Sequence, residues 1–179
     1  MMLWPVLDEA LEAAEEALLF GLRGGHSEQS IIALLQNCVA VRRAEDLLAY
    51  LQPIDLGPGE SLIKTGAATG DVFILETGRL GVWVKLETGR VIRVRSIAPG
   101  AVVGEMAHYL GLGRTADVSA LVPSRVWKLS TEALTKIEEE DRDLAAMLHV
   151  FLAQALAVKL LRANALMAQV DAIHGPQTE

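Results

Sequence analysis

The chain has 179 residues, of which 51% are hydrophobic and 4% are aromatic, and its formal net charge at pH 7 is −7. This composition predicts a globular domain whose core consists mostly of Leu, Val, Ile and Ala, and it excludes a disordered chain. The acidic balance argues against a general nucleic-acid-binding protein, because such a protein presents a basic face.

Residues 1–51 have the apolar pattern of helices. Leucines and an alanine recur at helical spacing over residues 5–22 and predict a first helix there. A second helix is predicted over 27–40 and a third over 41–51. The second helix is expected to turn four apolar side chains inward: Ile31, Leu34, Leu35 and Val39.

The start of the chain does not resemble a signal peptide. Its first six residues are mostly apolar, but Asp8 and Glu9 follow at once, with no basic region and no cleavage site. The single cysteine, Cys38, is expected to be a buried core thiol, which suits a reducing compartment. These features favour a cytoplasmic protein.

The pattern changes at residue 52. From there to residue 130, short apolar runs alternate with glycine and proline turns, several of them about ten residues apart, which predicts an all-β barrel or sandwich. Alternating apolar and polar residues over 79–87 and 90–95 predict a hairpin around Thr88-Gly89. Its solvated face is expected to carry five basic residues: Arg79, Lys85, Arg90, Arg93 and Arg95.

Helices resume over residues 131–175. Ser130 or Thr131 is expected to cap a short helix that ends at Ile137. An acidic corner, 138–141, is then expected to lie in solvent.

A longer helix is predicted over residues 142–173, with Asp141 as its cap. Its most apolar part, 144–161, contains polar and charged residues that interrupt a membrane span, so we interpret it as a buried helix without direct membrane insertion. Apolar residues form an imperfect heptad seam that predicts packing on the barrel and on a second copy, a homodimer. The seam comprises His149, Leu152, Leu156, Lys159, Ala163, Leu166, Val170 and Ile173.

The most informative stretch is the loop that Gly104-Glu105 begins and Arg114 ends, nine residues after the glutamate. A carboxylate can accept two hydrogen bonds from sugar hydroxyls, and a guanidinium can bind two oxygens of a phosphate. Backbone N–H groups at a helix start would add a further anion-binding element. The loop therefore predicts a pocket for a ribose-phosphate ligand. The alternative is that Glu105 and Arg114 pair with each other beside a surface turn.

The stretch VGEMAHYLGLGRTA closely resembles the phosphate-binding cassette of cyclic nucleotide-binding domains, whose pattern is Phe-Gly-Glu-Leu-Ala and, after a few residues, Pro-Arg-(Ser/Thr/Ala)-Ala. The resemblance implies that Glu105 binds the ribose 2′-hydroxyl and that Arg114 binds the cyclic phosphate. Val103 and Gly113 depart from the pattern, and the glycine is expected to weaken binding by leaving the loop less rigid. The implied ligand-binding residues are Gly104, Glu105, Met106, Ala107, Arg114, Thr115 and Ala116.

Two earlier stretches carry the same resemblance. Residues 58–66 resemble the family's Gly-Glu-x-Leu-(Ile/Phe)-x-x-Gly strand, and residues 71–78 resemble the next strand, which ends at a glycine turn. The resemblance implies a mainly β fold with flanking helices: a double-stranded β-helix, or jelly-roll, barrel with N-terminal helices and a long C-terminal helix. The expected parts are a helical lead-in over 1–51, the barrel with its cassette over 52–130, and C-terminal helices over 131–175.

A finer resemblance concerns residues 7–12, 102–106 and 109–111, which look like the C-terminal cytoplasmic region of bacterial SulP-type anion transporters. In these transporters a STAS domain precedes a cyclic nucleotide-binding-like domain. The resemblance implies a transporter or STAS-domain partner, and the first helix would correspond to the end of a STAS-like segment or to the linker after it.

The sequence carries no catalytic or metal-binding motif that we could identify. The four histidines are scattered and form no metal pattern: His26, His108, His149 and His174. After residue 174 only five residues remain, too few for the helix-turn-helix of the family's transcription factors, so specific DNA binding is not expected. We expect neither an enzyme nor a metalloprotein.

The leading hypothesis is a regulatory domain that binds a cyclic nucleotide, cAMP or cGMP, and relays the signal through its C-terminal helix. The first alternative is a non-binding dimerisation and interaction module with the same fold. A third possibility is a transcription regulator that has lost its DNA-binding part.

Overall fold

The computed structural model describes residues 31, 35 and 43–173, with the side chains of 166 and 169–173 excepted. Four helices and eight strands lie in the continuous part of this range. The helices are α1 (Ala44–Leu48), α2 (Glu105–Leu110), α3 (Thr131–Glu140) and α4 (Arg142–Ile173). The strands are β1 (Leu51–Leu56), β2 (Ser61–Ile63), β3 (Val72–Thr77), β4 (Leu80–Lys85), β5 (Val91–Ile97), β6 (Val102–Val103), β7 (Asp117–Ala120) and β8 (Ser124–Leu129).

The strands form two four-stranded sheets, in the orders β1-β8-β3-β6 and β2-β7-β4-β5. All pairings are antiparallel. This arrangement is the predicted jelly roll with flanking helices, so the predicted fold is confirmed. The short helix α2 follows β6 directly and therefore begins at the end of the first sheet.

The first sheet separates two apolar cores. Along β3, Val72 and Ile74 face the helices, whereas Phe73 and Leu75 face the barrel interior. This alternation follows from the two-residue period of a strand, and β3 is a continuous apolar run because both of its faces are covered. The helical core also includes the two described residues of the N-terminal region, Ile31 and Leu35, which are buried as predicted.

Several predicted element boundaries need correction. The predicted helix over 41–51 is observed only at Ala44–Leu48, and Leu51 is the first residue of β1. The helix expected to end at Ile137 continues to Glu140, so residues 138–140 form its last turn and not a separate acidic corner. Ser130 caps α3 through the N–H of Ala133 at 3.1 Å, as predicted. The helices predicted over 5–22 and 27–40, and Cys38, lie outside the described residues apart from 31 and 35.

Asp141 caps α4, as predicted. Its Oδ1 accepts the N–H of Leu144 at 3.1 Å and also accepts a hydrogen bond from Arg43 Nη1 at 2.9 Å. The arginine hydrogen bond and that backbone N–H lower the pKa of Asp141. The cap therefore links the start of α4 to the residue before α1.

The interpretation of 144–161 as a buried helix is wrong for its second half. The fully buried side chains of α4 end at Leu152, while Leu160 and Leu161 are 62% and 69% exposed. By length and composition, Arg142–Ala165 could cross a membrane, with a mean hydropathy of 1.9 over its most apolar window. A core helix of a soluble protein satisfies the same criteria, and the first half of α4 packs in the helical core.

The first part of the predicted seam packs within the chain, and its packing on a second copy stays a prediction. Leu152 is fully buried in its own protomer, and Lys159 forms an ion pair with the cassette residue Glu105. His149, at the start of the seam, also makes a contact within the chain, because its ring lies against Tyr109 of α2. These three residues thus face the chain's own core and cassette, whereas Ala163 of the seam is exposed.

The predicted hairpin is confirmed: β4 and β5 pair on either side of Thr88-Gly89, with Lys85 opposite Val91. Of its basic residues, Lys85 and Arg90 are exposed as expected. The remaining three are half-buried and interact with other groups of the protein, namely Arg79, Arg93 and Arg95.

Candidate functional site

The loop from Gly104 to Arg114 begins where β6 ends. Gly104 has φ +95° and precedes the first residue of α2. A Cβ atom on Gly104 would lie 2.5 Å from both the carbonyl oxygen of Asp71 and Nη1 of Arg114. Both the left-handed backbone and this close approach require glycine. Glycine at position 104 therefore allows the Asp71 backbone and the Arg114 guanidinium to lie directly against the start of α2.

Arg114 is 5% exposed, and backbone carbonyl groups hold its guanidinium in place. Nη1 donates to the Gly104 carbonyl at 2.9 Å, and Nη2 donates to the Asp71 carbonyl at 2.5 Å and to Thr69 Oγ1 at 3.3 Å. Burial lowers the pKa of Arg114, although an arginine remains charged at neutral pH. Arg114 thus joins the cassette to the segment before β3.

The main chain around Arg114 is also fixed. Its N–H donates to the Ala67 carbonyl at 3.0 Å, and its carbonyl accepts the N–H of Gly66 at 2.8 Å. The Asp71 side chain accepts the N–H of Thr131 at 3.1 Å and pairs with Lys128 at 2.9 Å. The arginine end of the site is therefore connected to the start of α3.

Glu105 is fully buried, and its Oε1 forms an ion pair with the Lys159 ammonium of α4. The Lys159 side chain is 19% exposed. Burial lowers the pKa of Lys159, and the positive charge of Arg95 acts in the same direction, whereas the Glu105 carboxylate raises it. The ammonium is thus partly desolvated and neutralised by one carboxylate.

Two buried polar atoms of the site have no hydrogen-bond partner within the described part of the chain: Glu105 Oε2 and Arg114 Nε. One is an acceptor and the other a donor. Buried polar atoms of this kind are rare in folded proteins, so each of them has the capacity for one further hydrogen bond. A sugar hydroxyl and a phosphate oxygen fit these two atoms, respectively, so the residues present suit the predicted ligand.

The other predicted site residues surround this pair. Gly104, Ala107 and Ala116 are half-buried, whereas Met106 is 48% exposed and Thr115 is exposed. The structure brings Glu105 and Arg114 into one loop, but in the described chain their partners are other groups and not each other.

A second polar contact connects α2 with the helices beyond the barrel. The Tyr109 hydroxyl and His149 Nδ1 of α4 are 2.8 Å apart, and His149 Nε2 lies 3.0 Å from Glu138 Oε1 of α3. His149 is therefore a partly exposed bridge between α2 and α3. His108 packs edge-on against Tyr109, and burial lowers its pKa.

Within residues 43–173, no group of three or more His, Cys, Asp or Glu side chains could hold a metal ion. Sequence reasoning missed three other groups that shape the site: Lys159, Asp71 and Thr69. Lys159 had a visible signal, since it interrupts the apolar seam of α4 at a position that faces the barrel. Asp71 and Thr69 act through one backbone carbonyl and one hydroxyl, which carry no distinctive sequence pattern.

Residues 53–141 match the family model described as the cyclic nucleotide-binding domain. Acetyltransferase Pat of Mycolicibacterium smegmatis is 33% identical over 93 residues, which are 52% of this chain and 28% of Pat. The chain thus spans well under a third of that relative's length.

Solved structures share the fold. A cyclic nucleotide-binding domain from Methylobacillus flagellatus has a TM-score of 0.72 at 19% identity, with 78% of this chain and 81% of that chain covered. The regulatory domain of Toxoplasma gondii PKA, crystallised with cAMP, has a TM-score of 0.52 at 21% identity, with 58% and 40% covered. Residues 53–141 thus match the model of the cyclic nucleotide-binding domain family, and the chain shares the fold of these solved structures.

Proposed function

We propose that this chain is a cytoplasmic ligand-sensing domain that binds cAMP or cGMP and relays its occupancy through α4. The observation that carries the proposal is the pair of buried, unpartnered atoms Glu105 Oε2 and Arg114 Nε within one loop. In this proposal the Glu105 carboxylate accepts the ribose 2′-hydroxyl, and the Arg114 guanidinium binds the cyclic phosphate. The exposed Met106 and Thr115 lie at the rim of the loop.

The geometry of Arg114 supports its proposed role. Its Nη atoms are occupied by protein carbonyl groups, so the guanidinium is already oriented before a ligand binds. A group that is fixed in advance loses little conformational entropy on binding. No metal is needed to neutralise the single charge of a cyclic phosphate when a buried arginine is present.

Isothermal titration calorimetry tests the proposal with cAMP, cGMP and cyclic di-GMP. We expect saturable binding of one cyclic mononucleotide, and Glu105→Gln should weaken it because the amide offers only one acceptor oxygen to the sugar. Glu132→Gln is the matched control, since Glu132 is exposed on α3. If none of the three nucleotides binds the wild type or either variant, the proposed function is wrong.

A second candidate function, a dimerisation module, has its own supporting observation. Val150 and Leu161 are 46% and 69% exposed, and helical geometry places them on the face of α4 opposite Lys159. We propose that a homodimer forms through this face instead of the predicted seam. In sedimentation velocity, Leu161→Glu should convert a dimer to a monomer, whereas a wild type that is already monomeric with and without cAMP would refute the dimer.

We also propose that the effector is a protein, such as an anion transporter or a STAS-domain partner, and not DNA. The resemblance to SulP-type transporters and the net charge of −7 support this choice. An electrophoretic mobility shift that shows sequence-selective binding of duplex DNA at physiological salt would overturn it.

A further inference from the structure

The distal half of α4 is weakly attached to the rest of the protein. From residue 153 to residue 165 no described side chain is fully buried, in contrast to the preceding turns, where Leu148, Phe151 and Leu152 lie in the core. Segments with few buried apolar contacts detach at low free-energy cost. Contacts made by individual polar side chains therefore decide where this half of the helix lies.

Two polar contacts hold α4 on the cassette helix α2. One joins His149 to Tyr109, and the other joins Lys159 to Glu105. The two α4 residues are ten positions apart, or about 15 Å along the helix. The first contact lies beside the well-packed half of α4, so it adds little to a position that the core already fixes. The second lies in the half in which no described side chain is fully buried.

The Lys159 contact occupies a group that the proposed ligand needs. Glu105 has two carboxylate oxygens, and one of them is bound to the ammonium. A ribose that approaches the carboxylate meets a side chain that belongs to the protein itself. Because Glu105 is fully buried, the ammonium and the sugar compete for the same small volume.

We propose that Lys159 is an internal competitor of the ligand: it binds Glu105 in the empty protein, and the ribose hydroxyls displace it when a nucleotide binds. This inference rests on the proposed function. Displacement removes the main polar contact of residues 153–165 with the cassette, and that segment then leaves its docked position. Occupancy of the pocket is thereby converted into movement of the distal half of α4.

The energetics of the ion pair make this exchange feasible. Burial disfavours the Lys159 ammonium, and Arg95 repels it, so only Glu105 keeps it in place. Once displaced, the ammonium regains its hydration beside the exposed Leu160 and Leu161. The carboxylate, in turn, accepts the sugar hydroxyls in place of the ammonium.

The test uses Lys159→Met, which keeps the length of the side chain and removes its charge, with Lys136→Met on α3 as the control for loss of an exposed lysine. Without ligand, hydrogen exchange in residues 153–165 should be faster in Lys159→Met than in the wild type or the control. Calorimetry with cAMP and cGMP should show roughly 10- to 150-fold tighter binding, because the empty state loses a charge-assisted hydrogen bond. Lys159→Gln, which keeps a donor for Glu105, should give intermediate values and serves if Lys159→Met does not fold.

The outcomes separate this inference from the proposed function. If the variants bind a nucleotide with unchanged or lower affinity than the wild type, the competition is refuted while nucleotide binding stands. Unchanged exchange of residues 153–165 in both variants refutes the docking role of Lys159. If neither the wild type nor any variant binds a cyclic nucleotide, the proposed function itself fails, and the competition fails with it.

Discussion

Arg114 is predicted to serve both the fold and the ligand, and replacing it should affect each in a measurable way. In Arg114→Ala the Asp71 carbonyl loses a 2.5 Å hydrogen bond and has no replacement donor among the described contacts, whereas the Gly104 carbonyl keeps a long contact with the His108 N–H at 3.4 Å. One acceptor left unsatisfied and another left weakly satisfied cost about 2–4 kcal/mol in total. Each kcal/mol lowers the Tm of a chain of this size by roughly 2–4 °C.

Arg114→Ala should also weaken ligand binding, and by more than its loss of stability explains. Removing the charged partner of a buried phosphate costs about 2–5 kcal/mol, which is roughly 30-fold to a few thousand-fold in Kd. Arg114→Lys should also weaken binding, because a single ammonium cannot keep the contacts with the Gly104 and Asp71 carbonyl groups and also offer the donor that Nε provides. Urea denaturation and calorimetry at a temperature where the variants are folded measure the two effects separately.

The control is Arg125→Ala, which removes an exposed arginine that pairs with Asp55 at the surface. We expect neither the stability nor the affinity of the protein to change in this variant. If Arg114→Ala matches this control in Tm, the role assigned to the carbonyl contacts is wrong. If it matches the wild type in affinity for every cyclic nucleotide tested, Arg114 does not bind the phosphate.

Three further changes test the loop and the cap of α4. Gly104→Ala should lower the free energy of unfolding by about 1–3 kcal/mol, because alanine is strained at φ +95° and its Cβ would lie 2.5 Å from the Asp71 carbonyl oxygen. A variant with wild-type stability in urea would contradict this. Gly113→Ala should stabilise the protein by about 0.4–1 kcal/mol and tighten nucleotide binding, because the nearest heavy atoms to the new Cβ lie 3.7 Å away and Gly113 is not in the left-handed region; a lower Tm would show that the loop needs glycine. The hydrogen bond from Arg43 lowers the pKa of Asp141, so the folded state holds this carboxylate ionised more strongly than the unfolded state does. The resulting stability is present above the unfolded pKa, near pH 4, and is lost as the pH falls through the lower folded pKa; Asp141→Asn should flatten the acid side of a plot of Tm against pH, and an unchanged slope would refute the linkage.

The parts of the fold that depend on neighbouring residues could be predicted from the sequence. The β4–β5 hairpin follows from the alternation on either side of Thr88-Gly89, and the caps at Ser130 and Asp141 follow from side chains placed one residue before each helix. The predicted end of α3, at Ile137, is too early because the acidic run that begins at Glu138 favours a solvated turn. In the structure Glu138 stays helical and lies beside His149, a residue of the next helix.

The candidate site also has a part that a local motif predicts and a part that only the fold determines. Glu105 and Arg114 are nine residues apart and could be found from one local motif. Lys159 is 54 residues from Glu105, and its contact depends on how α4 rotates over the barrel. The heptad pattern indicated that one side of α4 is apolar, but it could not distinguish the chain's own cassette from a second copy. Only the three-dimensional course of the helix separates these two partners.

The alternation along β3 has a consequence for engineering. Phe73 and Leu75 line the interior that the cassette adjoins, and Phe73 lies 5.9 Å from the Arg114 guanidinium carbon. Val72 and Ile74 belong to the other core, which also contains buried residues of α3 and α4. In the proposed function, substitutions at position 73, beside Arg114, should alter ligand binding, whereas substitutions at 72 and 74 should alter the packing of the helices. The two faces of one six-residue strand would then allow the binding site and the output helix to be engineered separately.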